Sequence, residues 1–197
     1  ENGTDLLLEL PEGHIWLGGE ESSKDGTIFN ANIPTEEVFS APQYNGVNGV
    51  VYSTKPLIYH GNTISDFSFT FKEGKIVEYT AKEGYEVLKE LVETDEGSHY
   101  LGEVALVDHF SPISQSNQIF YETLFDENAS CHLAIGASYP TCLKGSDGLS
   151  EEELKERGLN HSLTHVDFMI GHERMNIKGY TRDGQAVDIM IDGRLQI

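Results

Sequence analysis

A chain of 197 residues is long enough to bury one full hydrophobic core, which points to a single domain rather than a small stapled scaffold. Its 33 Asp and Glu against 13 Lys and Arg give a formal net charge of −20 and exclude an extended phosphate-binding surface, and with it nucleic acid as a partner. A surplus of carboxylates is compatible with divalent metals and with cationic substrates, but does not choose between them.

Short apolar or alternating runs separated by turn signals predict strands at 5–10 (DLLLEL), 49–54, 64–71 (ISDFSFTF), 75–81, 103–110 (EVALVDHF) and 131–139 (CHLAIGASY). Further strands are expected at 164–171 (THVDFMIG), 175–181, 185–191 and 194–197. Lys72-Glu73-Gly74, Arg182-Asp183-Gly184 and Asp192-Gly193 supply the positive-φ residues that hairpin turns require, so consecutive strands should pair antiparallel. Phe67, Phe69 and Phe71 alternate onto one face and form a core stripe. Two helices are predicted. Residues 84–93 place Val87, Leu88 and Leu91 at helical spacing, and 150–158 open on a Ser cap, carry acids in the first turn and stop at Gly158. The expected fold class is α+β, mainly antiparallel β-sheet with few helices, as one domain over 1–197.

Cys131 and Cys142 lack any metal-knuckle spacing and suggest a reducing compartment, with a single disulfide left open. No apolar run approaches the roughly 20 residues of a membrane span. The start ENGTDLLLEL lacks the basic region and cleavage site of a signal peptide. The expectation is a soluble cytoplasmic protein without a membrane partner. Because the chain enters a strand almost at once and has no initiating Met, it is also expected to be a fragment or a processed product.

Acids and histidines recur beside strand ends and turns. NIPTEEVFSAP (32–42) sets Glu36 and Glu37 between two prolines, and YLGEVALVDHF (100–110) places Glu103 directly after a glycine that permits close approach. ETLFDENASCHLAIG (122–136) gathers Glu122, Asp126, Glu127 and His132; ASYP adds Tyr139; LNHSLTHVDFMIG (159–171) adds His161, His165 and Asp167. On a strand rising about 3.3 Å per residue, His165 and Asp167 share one face while Val166, Phe168 and Ile170 share the other. Each member has an ordinary structural alternative. Glu36 and Glu37 fit a solvated loop, Glu103 a strand-start surface acid, and Asp126 with Glu127 a helix cap. His132 fits a satisfied core histidine, Tyr139 a packing tyrosine, and His165 with Asp167 a local hydrogen bond. Taken jointly they suit a hard divalent site, since catalytic two-metal sites combine Asp and Glu oxygens with His nitrogens around ions about 3.5–4 Å apart. The segments contain no Lys or Arg until Lys144, which argues against a salt-bridge network.

Together NIPTEEVFSAP, YLGEVALV, TLFDENASCHLAIGASYP and GLNHSLTHVDFMIG resemble the thermophilic-type metallo-aminopeptidases, the family of aminopeptidase T, aminopeptidase S and PepS. The resemblance runs through nearly the whole chain and matches the C-terminal, metal-binding half of such a protein, without the N-terminal domain that precedes it. It implies that Glu37, Glu103, Glu127, His132, His165 and Asp167 are metal ligands, with Glu103 bridging two divalent ions. The ions would be zinc, cobalt, manganese or magnesium. Tyr139 matches a tyrosine beside the metals, expected to donate to the oxyanion of the tetrahedral intermediate. Glu36, next to Glu37, is the candidate general base, and His161 a weaker candidate for orienting a ligand. The implied activity is release of N-terminal amino acids from peptides with a free N-terminus, by a protein that is a homodimer. Two rivals remain open: a different di-metal hydrolase such as a phosphoesterase, which would want cations or an anion nest near the metals, and a non-catalytic β-rich metal-binding or dimerisation module.

Overall fold

The computed structural model describes residues 2–30, 32–33 and 37–196; Glu36 therefore lies outside the described residues. In chain order the strands are β1 (Asp5–Leu8), β2 (Leu17–Gly18), β3 (Glu20–Ser22), β4 (Ile28–Asn30), β5 (Val38–Ser40), β6 (Val47–Tyr52), β7 (Leu57–Tyr59) and β8 (Asn62–Ile64). They continue as β9 (Ser68–Lys72), β10 (Lys75–Thr80), β11 (Leu101–Leu106), β12 (His132–Gly136), β13 (His165–Met169), β14 (Ile177–Tyr180), β15 (Ala186–Ile191) and β16 (Arg194–Leu195). The helices α1 (Tyr85–Val92), α2 (Pro112–Gln115), α3 (Thr123–Asp126) and α4 (Glu151–Glu156) are short. This is the α+β, mainly antiparallel architecture that the turn chemistry predicts.

Two sheets carry the structure. One runs β1-β6-β9-β10 and the other β13-β12-β11-β5-β2, with every neighbouring pair antiparallel. The β9–β10 hairpin turns through Glu73 (φ 50°) and Gly74 (φ 82°), the left-handed pair that a two-residue hairpin loop needs. A side chain at Gly74 would also strike the Tyr44 carbonyl at 1.9 Å. The apolar faces of the two sheets share one core. Phe69 and Phe67 of the first sheet's side lie 5.1 and 5.8 Å, centroid to centroid, from Phe168 of β13, and Leu133, Ile135 and Val166 pack in the same cluster. Burying one such side chain stabilises the fold by about 1.5–3 kcal/mol, so this stripe fixes which face of β11, β12 and β13 turns inward. Everything polar on those strands must then share the opposite face.

The differences from the sequence reading are local. Residues 64–71 form two strands rather than one, because Asp66 at φ 49° breaks the run between β8 and β9. The strand expected at 103–110 begins at Leu101 and ends at Leu106, which puts Glu103 inside it rather than at its start. The strand expected at 131–139 stops at Gly136 (φ 107°), and Tyr139 lies beyond it, before a 3-10 turn at Pro140–Cys142. The helix expected at 150–158 forms as α4 with a full capping box between Ser150 and Glu153.

Candidate metal centre

The register across β11, β12 and β13 assembles the polar face. Glu103 stands opposite Ala134, which stands opposite Asp167; His132 pairs with Ala105 on one side and Met169 on the other; His165 pairs with Gly136. Adjacent strands lie about 4.8 Å apart, so one acid on each outer strand flanks the methyl group of Ala134 between them. A larger residue at 134 would fill the space between the two carboxylates. On the far side, Phe39 of β5 pairs with Ala105, and Glu37 two residues earlier enters on the same face. Glu127 arrives differently. It opens a 3-10 turn, Glu127–Ala129, directly after α3, and reaches the sheet from above its face.

Three overlapping groups of donor atoms result: Glu37, Glu103 and His132; Glu103, His165 and Asp167; Glu127, His132 and Asp167, each with its atoms within 4.8 Å of one another. The two oxygens of Glu103 divide between the histidines, Oε1 at 3.3 Å from His132 Nε2 and Oε2 at 3.8 Å from His165 Nε2. His132 Nε2 also lies 3.9 Å from Glu37 Oε1, and His165 Nε2 lies 3.5 Å from Asp167 Oδ1. Both rings are oriented from behind. His132 Nδ1 donates to the Ser130 carbonyl at 2.9 Å and His165 Nδ1 to the Ala137 carbonyl at 2.7 Å, which leaves each Nε2 facing the cluster. Such a backbone-anchored imidazole is the usual posture of a metal-ligating histidine.

The electrostatics show a cluster short of positive charge. Burial pushes the Glu37 carboxyl up, as do Glu103 and Asp167 against the opposing pull of His132, so that it reaches about 7. Burial and the neighbouring Asp167 also raise Glu127 well above the ordinary carboxylate range. Asp167 itself is pulled below that range: burial raises it, but His165 and His132 more than offset this. Burial acts to lower both imidazoles, yet the surrounding carboxylates hold His132 at about 10 and His165 at about 9. Four carboxylates and two imidazoles, all buried except the half-buried Glu127 and His165, lie together, and two divalent cations would balance the four negative charges without any proton.

The donor set fits such cations. Among the described residues, His132 Nε2 and Asp167 Oδ1 are buried polar atoms that make no well-formed hydrogen bond and have only long ionic contacts, at 3.3 Å to Glu103 and 3.5 Å to His165, whereas buried polar atoms are normally satisfied. A cation among Glu127, His132 and Asp167 would satisfy both. The cluster opens toward solvent at one side, where the His165 side chain is 21% exposed and the half-exposed Tyr139 ring tilts against it at 4.8 Å. Burial, then the nearby acids, pushes the Tyr139 hydroxyl up to about 12, so at neutral pH it remains a donor.

All six residues expected as ligands are brought together, and Tyr139 stands beside them. His161 does not join them; its Nε2 lies 3.4 Å from exposed Glu151 on α4. Cys131 and Cys142 are both free and buried. Two residues that interact with the Asp126–Glu127 turn carried no weight in the sequence. Asn32 donates from Nδ2 to Glu127 Oε1 at 2.6 Å, and Lys55 is a partly buried amine, lowered by burial, whose electrostatic partner is Asp126. Asn32 sat inside a motif quoted for its glutamates, and Lys55 follows β6, far in sequence from any ligand segment. Neither position shows a spacing that could have flagged it.

The sequence model of the thermophilic metalloprotease (M29) family matches residues 1–195. The aminopeptidase AmpS of Bacillus subtilis is 59% identical over 191 residues, which are 97% of this chain and 47% of that protein. The aminopeptidase T of Thermus aquaticus is 46% identical over 192 residues, 98% of this chain and 47% of that protein. Among solved structures, wild-type AmpT from Thermus thermophilus superposes with a TM-score of 0.92 at 45% identity, over 99% of this chain and 48% of that one. The chain spans about half the length of the curated relatives it matches. No helix among the described residues is long and apolar enough to cross a membrane. A family match over almost every residue, the same fold and a cluster of buried acids and imidazoles suited to cations all agree: the chain belongs to the thermophilic metalloprotease family M29.

Proposed function

We propose that this chain carries the two-metal centre of an aminopeptidase that removes N-terminal residues from peptides. The observation that carries the reading is Glu103, whose two oxygens face two separate imidazoles within overlapping donor groups. Glu37 and His132 would complete one position, and His165 with Asp167 the other, while Glu127 adds a carboxylate shared with His132 and Asp167. Two bound divalent cations, with zinc, cobalt, manganese and magnesium as candidates, would supply an acidified water and a polarised substrate carbonyl.

The chain's own groups would do the rest. The carboxylates give the site a negative field that favours the cationic amino terminus of a peptide over an anionic phosphoester. That preference separates the peptidase from a phosphoesterase. Tyr139, protonated at neutral pH and half-exposed beside His165, would donate a hydrogen bond to the oxygen on which negative charge develops. Glu36 keeps the proposed role of moving a proton from water to the leaving amine; it immediately precedes ligand candidate Glu37 in sequence. The homodimer and the cytoplasmic location implied by the family resemblance extend the same proposal.

The test is a metal-dependence assay. Chelated protein should take up two equivalents of cobalt and hydrolyse amino-acid p-nitroanilides or short peptides only after zinc, cobalt or manganese is restored. Failure of every metal to restore hydrolysis would overturn the peptidase reading. Two equivalents bound without hydrolysis would favour the metal-binding module instead.

A further inference from the structure

Glu127 is the one ligand candidate that lies neither in nor next to a strand of the five-stranded sheet. Glu103, His132, His165 and Asp167 are fixed by the ladder of the five-stranded sheet, whereas Glu127 projects from the end of a four-residue helix. Such a carboxylate can rotate about its own side-chain bonds unless something outside the sheet restrains it. Besides its contact with Asp167 inside the cluster, the restraint from outside is Asn32. Its Nδ2 donates to Glu127 Oε1 at 2.6 Å and to the Leu124 carbonyl of α3 at 2.7 Å.

The orientation of this amide is settled by its partners. Asn32 Oδ1 accepts from the Ile33 N–H at 2.7 Å, and the Asn32 N–H donates to Asn30 Oδ1 at 3.0 Å. Turned the other way, the amide would set its oxygen against two acceptors and its nitrogen against a donor. In the observed orientation both amide hydrogens and the oxygen are used. The amide also ties two distant parts of the chain together, since Asn32 lies five residues before Glu37 and bonds to a residue 95 positions away.

We infer that Asn32 is a positioning residue for the metal centre: it occupies one oxygen of Glu127 with a neutral donor and so presents the other to the centre beside His132 and Asp167. A neutral donor suits this task. A Lys or Arg there would cancel part of the charge the cations must balance, and an acid would repel Glu127 and leave Leu124 O facing another acceptor. The assignment rests on the two-metal reading and sharpens it. It makes Glu127 a one-oxygen ligand, and it couples the loop that carries Glu37 to the turn that carries Glu127.

The experiment titrates the chelated full chain with Co²⁺, followed by calorimetry and by the visible absorption of bound cobalt. Asn32→Asp keeps the size and the acceptor for the Ile33 N–H but replaces the donor, while Asn32→Ala removes the side chain. Both should weaken one cobalt-binding step by about 10–100-fold, the usual loss when the partner of a ligand is removed, and alter the absorption of that cobalt. The far-UV circular dichroism should be unchanged. In a Glu127→Gln background the Asn32→Asp change should add nothing, because the residue acts through Glu127. Wild-type cobalt affinity and spectrum in both variants would overturn the inference, and so would a full Asn32→Asp effect in the Glu127→Gln background. Absence of cobalt uptake by the wild-type chain would instead overturn the metal-centre reading on which the inference stands.

Discussion

Gly102 lies in β11, one residue before Glu103, and packs against the chain leaving β12, so replacing it with alanine should disturb both. An added Cβ would lie 2.1 Å from the Ala137 carbonyl oxygen and 2.5 Å from the Gly136 oxygen. Carbon-to-oxygen contacts normally begin at about 3.3 Å, so backbone on one side or the other must move by roughly 1 Å. Neither neighbour is a flexible side-chain end. The Ala137 oxygen is the acceptor that orients His165, at 2.7 Å from Nδ1, and β11 carries its irregular register between Leu101 and Glu103, the step that aims Glu103 at the cluster. Overpacking of this kind costs about 1–3 kcal/mol. At about 2–4 °C per kcal/mol for a domain of this size, Gly102→Ala should lower the thermal midpoint by about 2–12 °C. Cobalt affinity should fall as well, by about 10–100-fold, because the partner of His165 is displaced. Circular dichroism melts and cobalt titration of the chelated protein measure the two effects, and Ser150→Ala provides the control. Loss of that helix cap costs about 1 kcal/mol at a distance from the cluster and should leave cobalt binding unchanged. A Gly102→Ala protein with wild-type melting and wild-type cobalt affinity would refute the argument that this close approach shapes the site.

Glu103→Ala should abolish binding of both ions, so a variant that still holds two equivalents by elemental analysis would contradict a bridging role. Tyr139→Phe should keep both metals and lower kcat by about 10²–10³-fold, the usual cost of one oxyanion donor; an unchanged kcat removes Tyr139 from the reaction. Without metal, the folded chain holds protons on Glu37 up to about 7, on His165 up to about 9 and on His132 up to about 10, all above the ordinary values of 4.5 and 6.5. The raised Glu127 acts in the same direction. The folded state therefore binds more protons than the unfolded state between about pH 4.5 and 10, and stability falls as pH rises through that window. Melts of the chelated protein from pH 5 to 9 should show a falling midpoint, with cobalt reversing the fall; a midpoint that rises with pH would show the sign to be wrong.

Much of this arrangement could be read from the sequence because alternation on strands is a local property. In THVDFMIG it separated His165 and Asp167 from Val166 and Phe168, and the structure puts those two pairs on opposite faces of β13. The antiparallel hairpins at Gly74 and Gly193 were legible for a similar reason, since positive φ follows from residue type. What lay outside reach depends on register and on approach from other layers. Nothing in CHLAIG says that Ala134 will stand between Glu103 and Asp167, which is decided by how three strands slide against one another. The break at Asp66 divided a run whose apolar pattern looked continuous, because a left-handed residue interrupts hydrogen bonding without changing hydrophobicity. Asn32 and Lys55 reach their partners from loops, where spacing carries no information about position.

The same cluster also explains how an acidic chain tolerates so much buried charge. Four carboxylates enclosed beside two imidazoles are costly to bury unless positive charge accompanies them. Protons on the raised groups would meet that requirement where no cation is bound. Divalent cations would meet it with the geometry that chemistry needs, and each bound ion would displace protons from the same oxygens and nitrogens. On the two-metal reading, folding, proton binding and metal binding would be one linked equilibrium. The strands that bury Phe69 and Phe168 on one face commit the other face to its charges, whatever cation neutralises them.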